Sequence, residues 1–173
     1  MSIVCLDTQI LYWAIVKRAV QGSEKLVPMA VDFLKWLEKQ DHTIILPTIV
    51  VGEMLIPVSP EQRPNVLAQF RKDWVIVEYD LKAATTFASM RYDHIMKKRL
   101  QDMRTMHPDL TKKELVADLM IIATAISHGA DTMYSHNKDL RELAEGYIVA
   151  KDFMDENFQI SMNLNENVDD QEP

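Results

Sequence analysis

The chain has 173 residues, of which 47% are hydrophobic and 26% are charged, and its formal net charge is −7. This length and balance are typical of one soluble globular domain and leave too little chain for two. No apolar run approaches the roughly 20 residues that a membrane-spanning helix needs, and the first residues lack the basic region of a signal peptide. A single cysteine, Cys5, excludes an internal disulfide. We therefore expect a cytoplasmic protein that does not enter a membrane.

The acidic charge is concentrated at the C-terminal end of the chain. Seven of the 26 acidic residues follow Lys151, which leaves residues 1–151 with 19 acids and 19 bases. Residues 158–173 combine asparagines with acids, and this composition predicts a mobile tail. The expected organisation is a single domain of residues 1–157 followed by that tail.

Short apolar runs of strand length alternate with stretches of helical periodicity. The predicted strands cover residues 3–6, 42–46, 74–78, 131–135 and 147–150. The predicted helices cover residues 26–39, 48–56, 61–73, 81–104 and 111–128, with a short one starting at Lys138. This alternation predicts an α/β fold with four or five mostly parallel strands and helices on both faces of the sheet.

The predicted helix over residues 111–128 has recognisable ends. Thr111 followed by Glu114 has the form of a capping box, in which the two side chains satisfy each other's backbone N–H groups. Gly129 suits the C-terminal cap of the same helix.

Acidic and amide side chains follow several of the predicted strands. They are Asp7, Glu53, Asp118, Asn137 and Asp139. In an open parallel sheet the carboxyl ends of the strands share one edge, so side chains distant in sequence can converge there. Converging carboxylates need a compensating cation, and oxygen ligands suit Mg²⁺ or Mn²⁺. Metal-assisted hydrolysis of a phosphodiester is the reaction that such a site favours.

Each acid taken alone has a structural interpretation as a turn, surface or first-turn helix residue. Two of them are harder to explain in that way. Asp118 lies within the apolar stretch of residues 115–125, and Asp7 directly follows the apolar run of residues 3–6. A carboxylate at the boundary of a core requires a partner.

Four segments in order along the chain resemble PIN-domain nucleases, and within that family the chain is most similar to the VapC-type toxins of type II toxin–antitoxin pairs. The matching segments are residues 4–8, 47–53, 117–129 and 134–140. The resemblance implies a three-layer α/β/α PIN fold. It also implies a divalent cation, Mg²⁺ or Mn²⁺, held mainly by Asp7 and Asp118, with Glu53 helping to place the metal or its water. Thr8 and Ser135 would support the site.

The resemblance has two departures. Gln9 stands where the family usually has asparagine, and Asn137 stands where many members have a fourth acid. Asn137 would still offer the metal an oxygen ligand, but it removes a negative charge. Asp139 either substitutes for the missing acid as a catalytic residue or caps its own helix.

A basic stretch is the candidate contact for a nucleic-acid backbone. Residues 91–113 contain seven basic residues and three acidic ones. Such a stretch on a neutral body can hold phosphates even when the whole chain is acidic. The candidate RNA contacts are Lys97, Lys98, Arg99 and Arg104, and the alternative is a solvated helix face.

The resemblance therefore implies a metal-dependent endoribonuclease that acts on RNA, forms a homodimer and is inhibited by a small VapB-like antitoxin. Two alternatives remain open at this point. One is a PIN nuclease that works in RNA processing or phage defence outside a toxin pair. The other is a non-catalytic PIN-like binding module, which only Asn137 favours.

Overall fold

The computed structural model describes residues 2–19 and 21–155, so the tail predicted at residues 158–173 lies outside the described residues. The strands are β1 (Ile3–Leu6), β2 (Thr43–Pro47), β3 (Val75–Val77), β4 (Thr132–Tyr134) and β5 (Val149–Lys151). The helices are α1 (Thr8–Leu11), α2 (Leu26–Lys39), α3 (Thr48–Leu55), α4 (Arg63–Asp73), α5 (Leu81–Tyr92), α6 (His94–Met106), α7 (Lys112–Ser127) and α8 (Lys138–Ala144). A π-helical segment, Tyr12–Val16, directly follows α1. In the part of the chain described here, no helix has the length and apolar character to cross a bilayer.

The strands form one parallel sheet in the order β3-β2-β1-β4-β5. Val4 in the central strand β1 aligns with Ile44 on one side and with Thr132 on the other. The chain first builds outward from β1 through β2 and β3, and then returns to add β4 and β5 on the opposite side. The carboxyl ends of β1 and β4 therefore flank the point where the strand order reverses, which is where open parallel sheets place their ligand sites.

Helices cover both faces of this sheet. The last three residues of β1 and the last four of β2 are all buried. Because successive side chains of a strand point to opposite faces, this continuous burial requires packing on both sides. On one side Phe33 of α2 meets Tyr134 of β4, with ring centroids 4.9 Å apart. The predicted three-layer α/β/α fold with a parallel sheet is confirmed.

The prediction of one continuous helix over residues 81–104 is wrong, because two helices cover this stretch and meet at Asp93. Asp93 has an extended backbone (φ −58°, ψ 132°), ends α5 and begins α6. Its side chain accepts a hydrogen bond from the Ile95 N–H at 2.7 Å, as an N-cap does. Aspartate is a strong N-cap, so this local preference interrupts a segment whose apolar spacing is otherwise continuous.

Residues 8–16 also differ from expectation, since α1 and the π-helical segment were not predicted. Asp7 caps α1 by accepting a hydrogen bond from the Thr8 N–H at 2.7 Å. The π-helical segment ends at Lys17, whose φ is 55°. Short π-helical segments are frequent near functional sites, and this one is separated from Asp7 only by the short helix α1.

The predicted capping box at the start of α7 is confirmed. The Thr111 hydroxyl accepts from the Glu114 N–H at 3.2 Å, and the Glu114 carboxylate accepts from the Thr111 N–H at 2.7 Å. At the other end, Gly129 has a φ of +77°, which glycine adopts without strain. These ends fix the position of the helix that carries Asp118.

Thr111→Ala removes one half of the capping box. We expect it to lower the free energy of unfolding by about 1 kcal/mol, because the Glu114 N–H loses its partner. Urea unfolding followed by circular dichroism measures this. The matched control is Thr85→Ala, since Thr85 is an exposed threonine within α5 whose hydroxyl bonds only to Leu81 O. An equal loss in both variants would contradict the role of the cap.

Candidate active site

Asp7 occupies the cleft between the ends of β1 and β4. Its backbone N–H donates to Tyr134 O at 3.0 Å, which extends the pairing of the two strands by one step. Asp7 as a residue is only 5% exposed. One carboxylate oxygen accepts from the Thr8 N–H at 2.7 Å and the other from the Ser135 hydroxyl at 2.7 Å. The fold thus holds a buried carboxylate in one orientation at the strand-order reversal.

Glu53 is brought to the same edge by α3, the helix that directly follows β2. The Thr8 hydroxyl donates to one oxygen of the Glu53 carboxylate. Thr8 therefore binds two acids, Asp7 through its backbone N–H and Glu53 through its side chain. A single residue sets the positions of both carboxylates.

Asp118 reaches this edge from the second turn of α7. Burial and, after it, the negative charges of Asp7, Glu53 and Asp139 raise the pKa of Asp118 to about 7. Among the described residues, no side chain or backbone group donates a hydrogen bond to its carboxylate. The ionised form of Asp118 therefore lacks a compensating partner within the described protein.

Asp7 is also affected by its surroundings. Burial raises the pKa of Asp7, the hydrogen bonds from Ser135 and Thr8 lower it, and the charge of Glu53 raises it again; the pKa is raised overall. Two acids of one site thus resist ionisation, because bringing carboxylates together in a partly dry cleft is unfavourable.

Asn137 and Asp139 have different positions. The Asn137 side-chain oxygen accepts from the N–H groups of Asp139 at 3.0 Å and Leu140 at 3.4 Å, so Asn137 is the N-cap of α8. The alternative that Asp139 caps this helix is therefore wrong. The charge of Asp139 acts on Asp118, and its carboxylate lies 3.8 Å from Nε2 of His107. Asn137 is thus engaged as a cap and Asp139 is an acid of the first turn, and which of them completes the site stays a prediction.

The loop after β4 is held by residues that the sequence patterns did not connect to the site. Arg141 donates to Ser135 O at 2.7 Å and forms an ion pair with Asp152 at 3.1 Å. Nδ1 of His136 also lies 3.1 Å from Asp152, and its ring meets Trp13 edge-on at 5.3 Å. This network fixes Ser135, and through Ser135 it fixes Asp7. No local signal marks Arg141 or Asp152, because their contacts depend on β5 lying beside β4.

The four candidate RNA contacts separate into different surroundings. Arg99 donates to Leu143 O at 3.2 Å and Glu145 O at 2.8 Å, so it fastens α6 to the end of α8. Lys97 and Arg104 line one groove, whereas Lys98 is exposed outside it. Nζ of Lys97 lies 4.8 Å from the centre of the Tyr92 ring. Sequence spacing alone did not separate these roles.

The acids fit a hard divalent cation in chemistry, although they do not form a finished cage. In the described ranges, no three acidic, histidine or cysteine side chains are drawn together closely enough to hold an ion directly. The donors at this edge are nonetheless carboxylates, and burial followed by the repulsion from the other acids raises the pKa of Asp118. Oxygen donors with excess negative charge suit Mg²⁺ or Mn²⁺ better than softer metals.

The raised pKa of Asp118 predicts an unusual pH dependence of stability. Its folded-state pKa of about 7 lies above the ordinary value of 3.8. The contribution of this group to stability is therefore present below about pH 4 and is lost as the pH rises through 7. In metal-free buffer at pH 8, Asp118→Asn should raise Tm, by roughly 2–4 °C for each kcal/mol of repulsion relieved.

At pH 4 the Tm difference between Asp118→Asn and wild type should disappear. The control is Asp102→Asn, which changes an exposed acid on α6 and should show no such pH-dependent gain. Differential scanning calorimetry at both pH values measures the effect. Equal Tm changes in the two variants at pH 8 would contradict it.

The chain is similar to one protein family and to several solved structures. The sequence model of the PIN domain family matches residues 4–146. Among solved structures, VapBC2 from Rickettsia felis bound to a DNA fragment from their promoter aligns with a TM-score of 0.57 and 19% identity, over 87% of this chain and 98% of that chain. FitAcB from Neisseria gonorrhoeae aligns with a TM-score of 0.52 and 15% identity, over 87% of this chain and 97% of that one.

DNA-bound VapBC from Salmonella typhimurium aligns with a TM-score of 0.52 and 18% identity, over 88% of this chain and 99% of that chain. Identities this low show a shared fold alone. Among curated proteins, none matches significantly. Because the family model spans most of the sequence and the parallel sheet agrees with it, this chain belongs to the PIN domain family.

Proposed function

We propose that this protein is a metal-dependent endoribonuclease that hydrolyses RNA phosphodiester bonds, and that it is the toxin of a type II toxin–antitoxin pair. The observation that carries the proposal is that Thr8 hydrogen-bonds to both Asp7 and Glu53, and that the charges of these two acids act on Asp118. Burial and, after it, the neighbouring negative charges raise the pKa of Asp118, and the described protein offers that carboxylate no partner. Membership of the PIN domain family supports hydrolysis of a nucleic acid.

The side chains divide the work in a specific way. Asp7, Asp118 and Glu53 would hold a divalent cation, Mg²⁺ or Mn²⁺, which supplies water activation and charge neutralisation at the scissile phosphate. Ser135 and Thr8 keep the Asp7 carboxylate oriented before substrate arrives, and Thr8 does the same for Glu53. Such preorganisation supports catalysis because the site does not have to rearrange during the reaction.

Asn137 stands where many family members have an acid, but the proposed site still has enough negative charge. Asn137 caps α8, while Asp139 two residues later contributes its charge to the environment of Asp118. This arrangement favours a nuclease over a non-catalytic PIN-like module, whose main support was the missing acid. Asp139 is accordingly proposed as the fourth catalytic acid.

The similar structures also bear on partners. They include VapBC complexes from Rickettsia felis and Salmonella typhimurium. On that likeness we extend the proposal to inhibition by a small VapB-like antitoxin and to a homodimeric state in the cytoplasm.

Asp7→Asn should lower cleavage of mixed single-stranded RNA by at least about 100-fold, because it removes a charged ligand from a site built on charge stabilisation. Wild-type cleavage should stop in excess EDTA and return with Mg²⁺ or Mn²⁺. Denaturing gels measure both effects. Asp102→Asn, an equal charge change on the exposed face of α6, should cleave normally.

A thermal-shift titration tests the same assignment without activity. Mg²⁺ or Mn²⁺ should raise the Tm of the wild type and of Asp102→Asn, but not that of Asp7→Asn. Undiminished cleavage in excess chelator would show that different chemistry operates.

Induced production of the wild-type chain in a bacterial host should arrest growth, because a toxin cleaves RNA that the cell needs. Asp7→Asn should leave growth unaffected at the same protein level. Growth curves with quantified protein measure this. If the purified wild type cleaves RNA but never arrests growth, the protein is a PIN nuclease that works outside a toxin pair.

A further inference from the structure

A groove of about 700 Å³ lies between α6 and the first turn of α7. It is lined by four basic side chains, which are Arg91, Lys97, Arg104 and Lys112, and we call it the basic groove. Its lining also includes Leu100 and Leu115 but no acidic residue. Four positive charges thus converge on one concave surface of a protein whose net charge is −7.

These cations have no acidic partner within the described ranges. Arg91, Lys97, Arg104 and Lys112 form no ion pair there, whereas neighbouring Arg99 lies 3.9 Å from Glu145. Like charges that face one cavity repel one another, and an anion in that cavity relieves the repulsion. The basic groove therefore favours an anionic occupant with several charges.

The groove adjoins the carboxylate site at two points. Leu115, which lines the groove, lies one turn before Asp118 on α7, and residues three apart share a helix face. His107 directly precedes Pro108, a groove residue, and lies 3.8 Å from the Asp139 carboxylate. The basic groove and the carboxylate site therefore share α7 and the loop that precedes it.

An exposed aromatic ring stands at the side of the groove. Tyr92 is 82% exposed, and Nζ of Lys97 lies 4.8 Å from its ring centre. Exposed aromatic rings next to cations are the usual platform on which proteins stack the bases of a single strand. Bases inside a duplex are already stacked and cannot use such a platform.

We propose that the basic groove binds the phosphate backbone of single-stranded RNA beside the bond to be cleaved, with a base stacked on Tyr92. This deepens the proposed function and rests on it. Arg91 and Lys112 join Lys97 and Arg104 as backbone contacts, while Lys98 and Arg99 are not part of the groove. Because the net charge of the chain is negative, the rest of the surface attracts RNA only weakly. The affinity for RNA therefore depends on this groove.

The test measures binding separately from cleavage. Fluorescence anisotropy follows a labelled single-stranded RNA of about 12 nucleotides, a length within the usual range for such sites. The full chain is used with Asp7→Asn and EDTA present, so that the RNA stays intact. Changing Arg91, Lys97, Arg104 and Lys112 together to Gln should raise Kd at least about 100-fold and reduce the salt slope by about 3, at roughly 0.7 per lost phosphate contact.

The matched control changes Lys25, Lys39, Lys72 and Lys82 to Gln, which removes the same charge from exposed positions outside the groove. It should change Kd by no more than about 3-fold, since screened charges far from the bound strand contribute little. Both variants must retain the parental circular dichroism spectrum and Tm. Equal losses of affinity in the two variants would mean general electrostatics and would overturn the proposal.

Tyr92→Leu separates stacking from charge. It should raise Kd about 5-fold or more without changing the salt slope, because stacking releases no counterions. We call the variant with the four groove cations changed to Gln the groove variant. If it binds RNA as tightly as the parent protein, the proposal is wrong. The proposal is also wrong if the groove variant loses binding only to a protein partner. If the wild type never cleaves RNA but the groove variant still loses RNA binding, the nuclease proposal fails while the groove remains an RNA site.

Discussion

The Ser135 hydroxyl donates to the carboxylate of Asp7 across 128 positions of the sequence, and the Thr8 hydroxyl donates to that of Glu53 across 45. These two bonds hold acids close to one another that would otherwise separate to reduce their repulsion. Asp118 completes the arrangement with no donor of its own among the described residues, and burial together with the neighbouring negative charges raises its pKa. The rest of the molecule must supply the stability that makes this concentration of charge possible.

The parallel sheet and α7 provide that stability. Both faces of β1 and β2 are buried, so the strand that ends at Asp7 is fixed by packing on each side. The capping box and Gly129 fix the ends of α7, and its core-facing residues Leu119 and Ile122 are fully buried. Asp118 therefore sits on a helix that cannot move away from the other acids without disrupting the core. A rigid scaffold with a polar edge is the usual way in which enzymes preorganise a charged site.

Two surfaces of opposite charge lie side by side on this scaffold. The carboxylates gather at the strand ends, and the basic groove opens one helical turn away along α7. A polyanionic substrate would be attracted by the groove and repelled by the bare acids, so the groove would bind the strand without a metal, whereas placing the scissile phosphate at the acids would require a cation there. This pairing gives a physical reason why a chain with a net charge of −7 can still bind nucleic acid. It also assigns the proposed metal to the placement of the scissile phosphate and to the chemical step, and the basic groove to affinity for the strand.

Local sequence patterns were sufficient to predict the α/β class, the order of the strands along the chain and the capping box of α7. These patterns are the hydrophobic period, the capping residues and the strand-length apolar runs, and each depends on neighbours in sequence. The acids after the strands could be named for the same reason. Asp93 and Asn137 are also local signals, because each caps the helix that follows it, although apolar spacing did not reveal them. Tertiary structure alone decided that Asp139 acts on Asp118, and that Arg99 fastens α6 to α8 while Lys97 faces a groove. Sequence spacing shows which side of an element a residue occupies, but the element packed against that side is set by long-range burial, which no local pattern records.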